Sequence, residues 1–231
     1  MDWQAFFLTL RLATITTAIL LAVAIPLSAW LVLGRARWPA AAGWFASVEA
    51  LATLPLVLPP TVLGFFLLVL LGPRTAFGRG IAAVLGHPLA FSFDGLVVGS
   101  VIYSFPFAVQ PLVAGFAAVP SSLVDAARIL GAGPARMTAT LLVPLARRSL
   151  LTAGVLAFLH TVGEFGVVLM LGGDIPGSTR TLSILLYNQV ENFNYAAAEH
   201  TSAILLSLSV LALAAIYWRG RETGARGGSR A

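Results

Sequence analysis

The sequence predicts an all-α protein that crosses a membrane several times. Of its 231 residues, 58% are hydrophobic and only 10% are charged, whereas about a quarter of the residues of an ordinary soluble domain are charged. The mean hydropathy is +0.92. The apolar residues form long runs, and such runs cross a bilayer as helices because a helix satisfies its own backbone hydrogen bonds.

Five apolar runs are long enough to span, since about 20 helical residues cross the hydrocarbon core. They extend over Leu12–Leu33, Val48–Leu71, Leu96–Val119, Leu150–Leu171 and Thr201–Trp218. A sixth stretch, Thr181–Val190, is too short to span and predicts a re-entrant or partial helix. Residues 1–221 are thus predicted to form a polytopic bundle of five spans and a short sixth helix. We expect the Gly- and Arg-rich tail at 222–231 to be disordered.

The arginines indicate the orientation of the bundle. All 14 basic residues are arginines, and the net charge is +5. If the loop between the third and fourth spans is cytoplasmic, ten arginines lie inside and four lie outside, in agreement with the positive-inside rule. The N-terminus is then outside and the C-terminus is cytoplasmic. Because the charge follows the topology, we expect no nucleic-acid partner.

The loop from Pro120 to Pro144 predicts a helix, a tight turn and a second helix. Ser122 suits the N-cap of the first helix, and Asp125 stands three residues later, where a capping box places an acid. Gly131 suits a left-handed position at the helix end. Gly133 and Pro134 are typical of an N-cap followed by a first-turn proline.

The spacing in this loop resembles the cytoplasmic signature of ABC importer permeases. That signature is usually Glu-Ala-Ala, three residues, Gly, nine residues and Ile-x-Leu-Pro; here Asp, Leu and Val replace Glu, Ile and Leu with the spacing intact. In the family, the first helix of the loop docks into a groove on the ATPase subunit. The alternative is a capped connector that binds nothing, which the complete spacing disfavours. The resemblance implies a type I ABC importer permease fold and assigns coupling to the ATPase to Asp125, Ala126, Ala127, Arg128, Gly131 and Pro144.

Prolines mark a candidate translocation path in the second and third runs. Each of Pro55, Pro59 and Pro60 removes a backbone donor from the second run, and transporters tend to place their pathways at broken segments within the bilayer. A kink that serves only packing is the alternative for any single proline. The residues that we predict to line the path or its gate are Thr53, Pro59, Pro60, Thr61 and Ser104, together with Glu164.

Glu164 is the one acid deep within a predicted span, and an ionisable group at that depth indicates function. The alternative is a structural carboxyl that hydrogen-bonds to backbone or to a partner helix. A carboxylate repels an anion, so we assign Glu164 to a gate and not to substrate binding. We expect it to accept hydrogen bonds from backbone or hydroxyl groups, either within the subunit or across a dimer interface.

Several chemistries are not supported by the sequence. His87, His160 and His200 lack metal-ligand spacing, and no GxxxxGK[ST] motif is present for ATP, so we expect neither a cofactor nor an ATPase activity in this chain. An intramembrane hydrolase remains an alternative of another class. It would require a nucleophile and a base within the bilayer, whereas His160 and Glu164 form only a loose i, i+4 pair.

Three further segments, LPLVLPPTVLGF, GEFGVV and DIPGSTRT, resemble the molybdate branch of the importer permeases. A sulfate or tungstate permease of the same architecture is the alternative. The resemblance implies a homodimer in a bacterial inner membrane, with each copy contributing half of a central path. It also implies two cytoplasmic ATPase subunits and an extracytoplasmic oxyanion-binding protein.

Overall fold

A computed structural model describes residues 2–222 of the chain, with side chains described for residues 2–214. Over this range the fold is helical and contains no strand, as predicted. The four longest helices are α1 (Trp3–Arg37), α5 (Phe93–Ala117), α9 (Arg147–Gly163) and α12 (Tyr195–Glu222). Apart from Glu222, the tail predicted to be disordered at 222–231 lies outside the described residues.

Shorter helices connect these four. They are α2 (Ala42–Val57), α3 (Pro60–Leu71), α4 (Ala76–Leu85), α6 (Ser121–Ile129), α7 (Pro134–Met137), α8 (Val143–Leu145), α10 (Gly166–Gly172) and α11 (Leu182–Glu191). A 3-10 turn at Pro39–Ala41 precedes α2, and a π-helical turn at Thr138–Leu142 joins α7 to α8.

Two of the five predicted spans are broken helices. Among the described residues, four helices are long and apolar enough to cross a membrane alone, or up to six spans form if each of two other bent pairs, α3 with α4 and α7–α8 with α9, crosses as one. The second run divides into α2 and α3 at Leu58, which is extended with ψ 136°. Residues that precede a proline avoid the helical region, and Pro59 and Pro60 donate no hydrogen bond. The fourth run divides into α9 and α10 after Gly163.

Helix α5 lies at the centre of the bundle and packs against α1, α2, α9 and α10. The largest buried apolar cluster joins α1, α2, α5 and α9 on the side of the loop 120–144. Two smaller clusters lie on the other side, one between α3, α5 and α10 and one between α1, α5, α10 and α11. The core is therefore divided at the depth of the two helix breaks.

Two contacts define the ends of the bundle. Arg128 Nη2 donates to the Leu33 carbonyl at 3.4 Å, which places the C-terminal end of α1 beside the loop 120–144; we call this end the loop face. The backbone N–H of Leu182 donates to Thr9 Oγ1 at 2.9 Å, so α11 begins beside the N-terminal end of α1, at the opposite face. The predicted short sixth helix is observed as α11 at this face.

Candidate functional site

The first helix of the loop, α6, begins at Ser121, two residues earlier than the proposed Ser122 cap requires. Its N-cap is Pro120, and no side chain caps the helix. The fixed φ of proline suits a helix entry, and the Pro120 carbonyl accepts the first helical bond from Leu123 N at 3.1 Å. Asp125 therefore lies within the helix, where its carboxylate pairs with Arg128 at 3.1 Å. The capping prediction was wrong, and the helix prediction is confirmed.

The turn after α6 has the predicted backbone. Gly131 adopts φ +77°, and the N–H of Ala132 donates to the Ala127 carbonyl at 2.9 Å. Gly133 is the N-cap of α7, with Pro134 in the first turn. Both predictions from the sequence are confirmed. They could be made from the sequence because each feature depends on local backbone chemistry and not on distant contacts.

The far end of α6 exposes an apolar surface on the loop face. The side chains of Ile129 and Leu130 are 87% and 83% exposed, whereas Val124 on the other side of the helix is buried. Arg128 ties the same helix to α1 through Leu33. Two adjacent exposed apolar side chains on a helix held in place are suited to contact with a partner.

The two helix breaks lie side by side. A Cβ atom added to Gly166, which opens α10, would lie 2.8 Å from Pro60 Cβ at the start of α3. A Cβ atom on Gly64, one turn further along α3, would lie 2.8 Å from Met170 Cβ. Only glycine permits this approach, so α3 and α10 pack as a pair of half-helices.

Predicted path residues near the first break differ in their surroundings. Pro59 and Thr61 are exposed on the single subunit. The Thr53 hydroxyl donates to the carbonyls of Glu49 at 3.0 Å and Ala50 at 2.9 Å, within its own helix. Such bonds are common where a hydroxyl faces an apolar surrounding. Pro59 and Thr61 therefore present a surface that another chain or the path can contact.

Glu164 lies at the second break, as the extended residue that ends α9. It is only 3% exposed. Neither carboxylate oxygen has a hydrogen-bond partner among the described residues, and the buried Ser100 hydroxyl is likewise unpaired. The Ser100 hydroxyl nevertheless lies close enough to interact with this carboxylate, so it is the donor that the subunit offers, without a hydrogen bond of normal geometry. An incompletely paired buried acceptor is costly, so a further donor from outside the single chain would stabilise this side chain.

Ser104 belongs to an internal contact between α5 and α9 and does not face an open path on the subunit. Its hydroxyl lies 2.9 Å from His160 Nδ1 and 3.1 Å from Thr161 Oγ1. The rings of Phe107 and Tyr103 enclose the imidazole, with centroids 3.9 and 4.7 Å away. Ser104 and His160 are 56 positions apart, so no local pattern in the sequence indicates this contact.

The same contact bears on the hydrolase alternative. A serine hydroxyl within hydrogen-bonding distance of an imidazole is the minimum that nucleophilic catalysis requires. Ser104 is completely buried, however, and aromatic rings lie on the imidazole. A substrate carbonyl cannot reach the hydroxyl in this arrangement. The serine–histidine contact therefore serves the packing of α5 on α9.

At the opposite face, the segment DIPGSTRT folds into an ordered loop ahead of α11. Arg180 pairs with Asp174, and Asn188 Nδ2 of α11 donates to the same carboxylate at 2.6 Å. The Thr179 hydroxyl donates to the Gly172 carbonyl at 2.7 Å. These bonds fix the start of α11 against the end of α10. In the sequence, the opposite charges of Asp174 and Arg180, six residues apart, were the signal from which this ordered loop could have been predicted.

Comparison with known proteins agrees with this arrangement. Residues 44–220 match the family described as the binding-protein-dependent transport system inner membrane component. The molybdenum transport system permease protein ModB of Azotobacter vinelandii is 47% identical over 217 residues, which cover 94% of this chain and 93% of the relative. ModB of Escherichia coli K12 is 32% identical over 228 residues, which cover 98% and 97%.

A solved structure shows the same fold. The MetNI methionine ABC transporter, in its inward facing conformations, superposes with a TM-score of 0.74 over 96% of this chain and 95% of the matched chain, at 18% identity. At that identity the likeness concerns the fold alone. The expected importer-permease fold is confirmed. With the family model matching well over half of the sequence, the chain belongs to the inner membrane components of binding-protein-dependent transport systems.

Proposed function

We propose that this chain is the membrane-spanning permease subunit of an ATP-driven importer of molybdate. The observation that carries the proposal is the similarity to two ModB permeases over nearly the whole chain. The loop agrees with this role, since α6 presents exposed Ile129 and Leu130 beside the signature residues. We assign residues 120–144 to coupling and the remainder of 1–221 to the transmembrane domain.

The proposed ATPase contact involves the signature residues of the loop. An apolar helix end that enters a groove of a cytoplasmic ATPase would transmit movement to α1 through the Arg128–Leu33 bond. Asp125 holds Arg128 in position for that bond. In this scheme Gly131 and Pro144 set the directions in which the chain leaves α6 and enters α9, while Ala126 and Ala127 keep the helix surface small.

The proposed path lies between two copies of the chain. An oxyanion cannot enter hydrocarbon unaided, because burial of an isolated charge costs many kcal/mol. Pro59 and Thr61 are exposed beside the α2–α3 break, and a second copy facing them would enclose a path with half of its wall from each subunit. We place Pro60 and Thr53 along the same wall and Ser104 behind it as a support.

We assign Glu164 to a gate at the level of the paired breaks. Its carboxylate is buried and forms no hydrogen bond of normal geometry within the described part of one subunit, although the Ser100 hydroxyl lies beside it. It adjoins α10, which packs on α3. A donor from the second copy, or from this chain in another state of the transport cycle, would complete the site. Closure of the α3–α10 pair would then depend on that hydrogen bond.

Substrate selection is expected to favour molybdate over sulfate. We expect the binding protein that docks on the opposite face to bind molybdate more tightly than sulfate in calorimetry, with tungstate as the closest competitor. In proteoliposomes that contain the complex with its two ATPases, molybdate-loaded binding protein should stimulate ATP hydrolysis and uptake. Equal stimulation by sulfate-loaded protein would contradict the molybdate assignment and leave the permease assignment in place.

The orientation can be tested with reporter fusions. We expect reporters placed after Arg37 and after Arg136 to be cytoplasmic and a reporter near Ser178 to be external, because of the arginine asymmetry. Arg37 and Arg136 lie on the loop face, so their reporters must agree with each other. An external reporter at Arg136 would separate the loop from any cytoplasmic ATPase and would refute the coupling proposal.

A further inference from the structure

A groove of about 670 Å³ opens between the last third of α1 and the second part of the loop, from α7 to α8. Its walls are almost entirely apolar, and two arginines line it. The residues that the argument uses are Ile25, Trp30, Arg37, Trp38, Arg128 and Ala139. The groove is separate from the exposed tip of α6 and from the helix breaks.

The groove runs along α1 toward the loop face. Ile25 and Arg37 are 12 positions apart on α1, which corresponds to about 18 Å at the helical rise. Ile25 marks its apolar end within the span, and Arg37 marks its end at the loop face. An apolar channel of this length with a cationic mouth has the dimensions and polarity of a phospholipid chain and its headgroup.

The mouth is built from aromatic and cationic side chains. The rings of Trp30 and Trp38 both contact Phe45, at centroid distances of 4.9 and 6.4 Å. The Arg37 guanidinium lies 5.9 Å from the Trp38 ring centroid. Tryptophan rings favour the interface between headgroups and acyl chains, so this end of the groove lies at headgroup depth.

We propose that the groove binds one anionic phospholipid from the leaflet on the loop face. The phosphate contacts the exposed guanidinium of Arg37, and one acyl chain lies along α1 toward Ile25. Basic pockets between helices on the cytoplasmic side suit anionic headgroups. Arg128 is already bonded to Asp125 and to Leu33, so it contributes charge at the mouth while Arg37 supplies the direct contact.

The bound lipid has a consequence for the loop. Its headgroup touches α1 on one side and α7 on the other, close to the bond between Arg128 and Leu33. The lipid therefore acts as a second connection between α1 and the loop. This inference does not depend on which ion is carried.

The test uses the full-length chain in its purified complex and measures retained lipid by native mass spectrometry, with phosphatidylglycerol and phosphatidylcholine offered in equal amounts. We expect preferential retention of phosphatidylglycerol. Arg37→Gln should reduce that retention about fivefold, which is the contribution of one basic residue at an anionic surface. Arg136→Gln is the matched control, because Arg136 is exposed on α7 and does not line the groove.

A second variant tests the apolar part of the groove. Ala139 is exposed on the wall opposite α1, and Ala139→Trp should fill the groove and reduce retention of both lipids to the level of Arg37→Gln or below. Equal losses in Arg37→Gln and Arg136→Gln, or equal retention of the two lipids by the unmodified complex, would overturn the proposal. Crosslinking between two copies of an Ala139→Cys variant would also overturn it, since a second copy would then occupy the groove.

Discussion

Glu164→Leu should strongly reduce molybdate import while the subunit still folds and inserts. Glu164 is 3% exposed and has no hydrogen-bond partner within the described part of the subunit. Leucine removes a buried polar group and withdraws from the single chain only its contact with the Ser100 hydroxyl. If the carboxylate accepts a donor during the transport cycle, leucine leaves that donor unpaired, at a cost of about 1–3 kcal/mol. A loss of 1.4 kcal/mol is about tenfold, so uptake should fall about tenfold or more.

Glu164→Gln is the matched variant, because it keeps an acceptor oxygen and nearly the same shape. We expect it to retain most of the uptake. Both variants should be compared at equal membrane abundance, with thermal unfolding of the purified complex as the control for folding. If glutamine reduces uptake as strongly as leucine does, the charge itself is required. The hydrogen-bonded gate would then be wrong, although the permease assignment would stand.

The features that were predictable from the sequence depend on local chemistry. A positive φ at Gly131 and a helix start at Gly133 and Pro134 follow from the conformational range of those residue types alone. The break at Leu58 has the same origin, since two consecutive prolines withhold two donors from the helix. The error at Ser122 also arose locally. Serine is a residue type that favours the N-cap position, but the helix begins earlier, after Pro120, where no side chain caps it.

The features that were not predictable depend on tertiary packing. The break between α9 and α10 contains no proline, and it becomes intelligible only through the close approach of Gly166 to Pro60 of α3. The contact between Ser104 and His160 likewise requires α5 and α9 to be adjacent. The sequence shows that residues 104 and 164 are polar. It does not indicate that Ser104 is hydrogen-bonded internally while Glu164 forms no hydrogen bond of normal geometry.

A substitution in the turn after α6 should affect coupling to the ATPase without affecting folding of the spans. Gly131 adopts φ +77° and has no atom within 4 Å of the place where a side chain would begin. A valine there meets no steric obstacle from neighbouring residues, and its cost is confined to the left-handed backbone, about 1–2 kcal/mol for a residue with a side chain. The chain can relieve this strain by abandoning the bond from Ala132 N to the Ala127 carbonyl, which would redirect the end of α6.

Gly131→Val should therefore insert normally and yet lose the ATPase. We expect the variant to reach its normal abundance in the membrane while the amount of co-purified ATPase falls several-fold. Uptake should then fall in proportion, or ATP hydrolysis should become uncoupled from uptake. Gly133→Val is a close control, because Gly133 also has free space around it but adopts an ordinary φ of −73°. That variant should keep both association and uptake near their original levels. Full transport and normal ATPase association in Gly131→Val would show that α6 does not depend on this turn for its docking geometry. Equal losses in Gly131→Val and Gly133→Val would show that any side chain added to the loop blocks the ATPase.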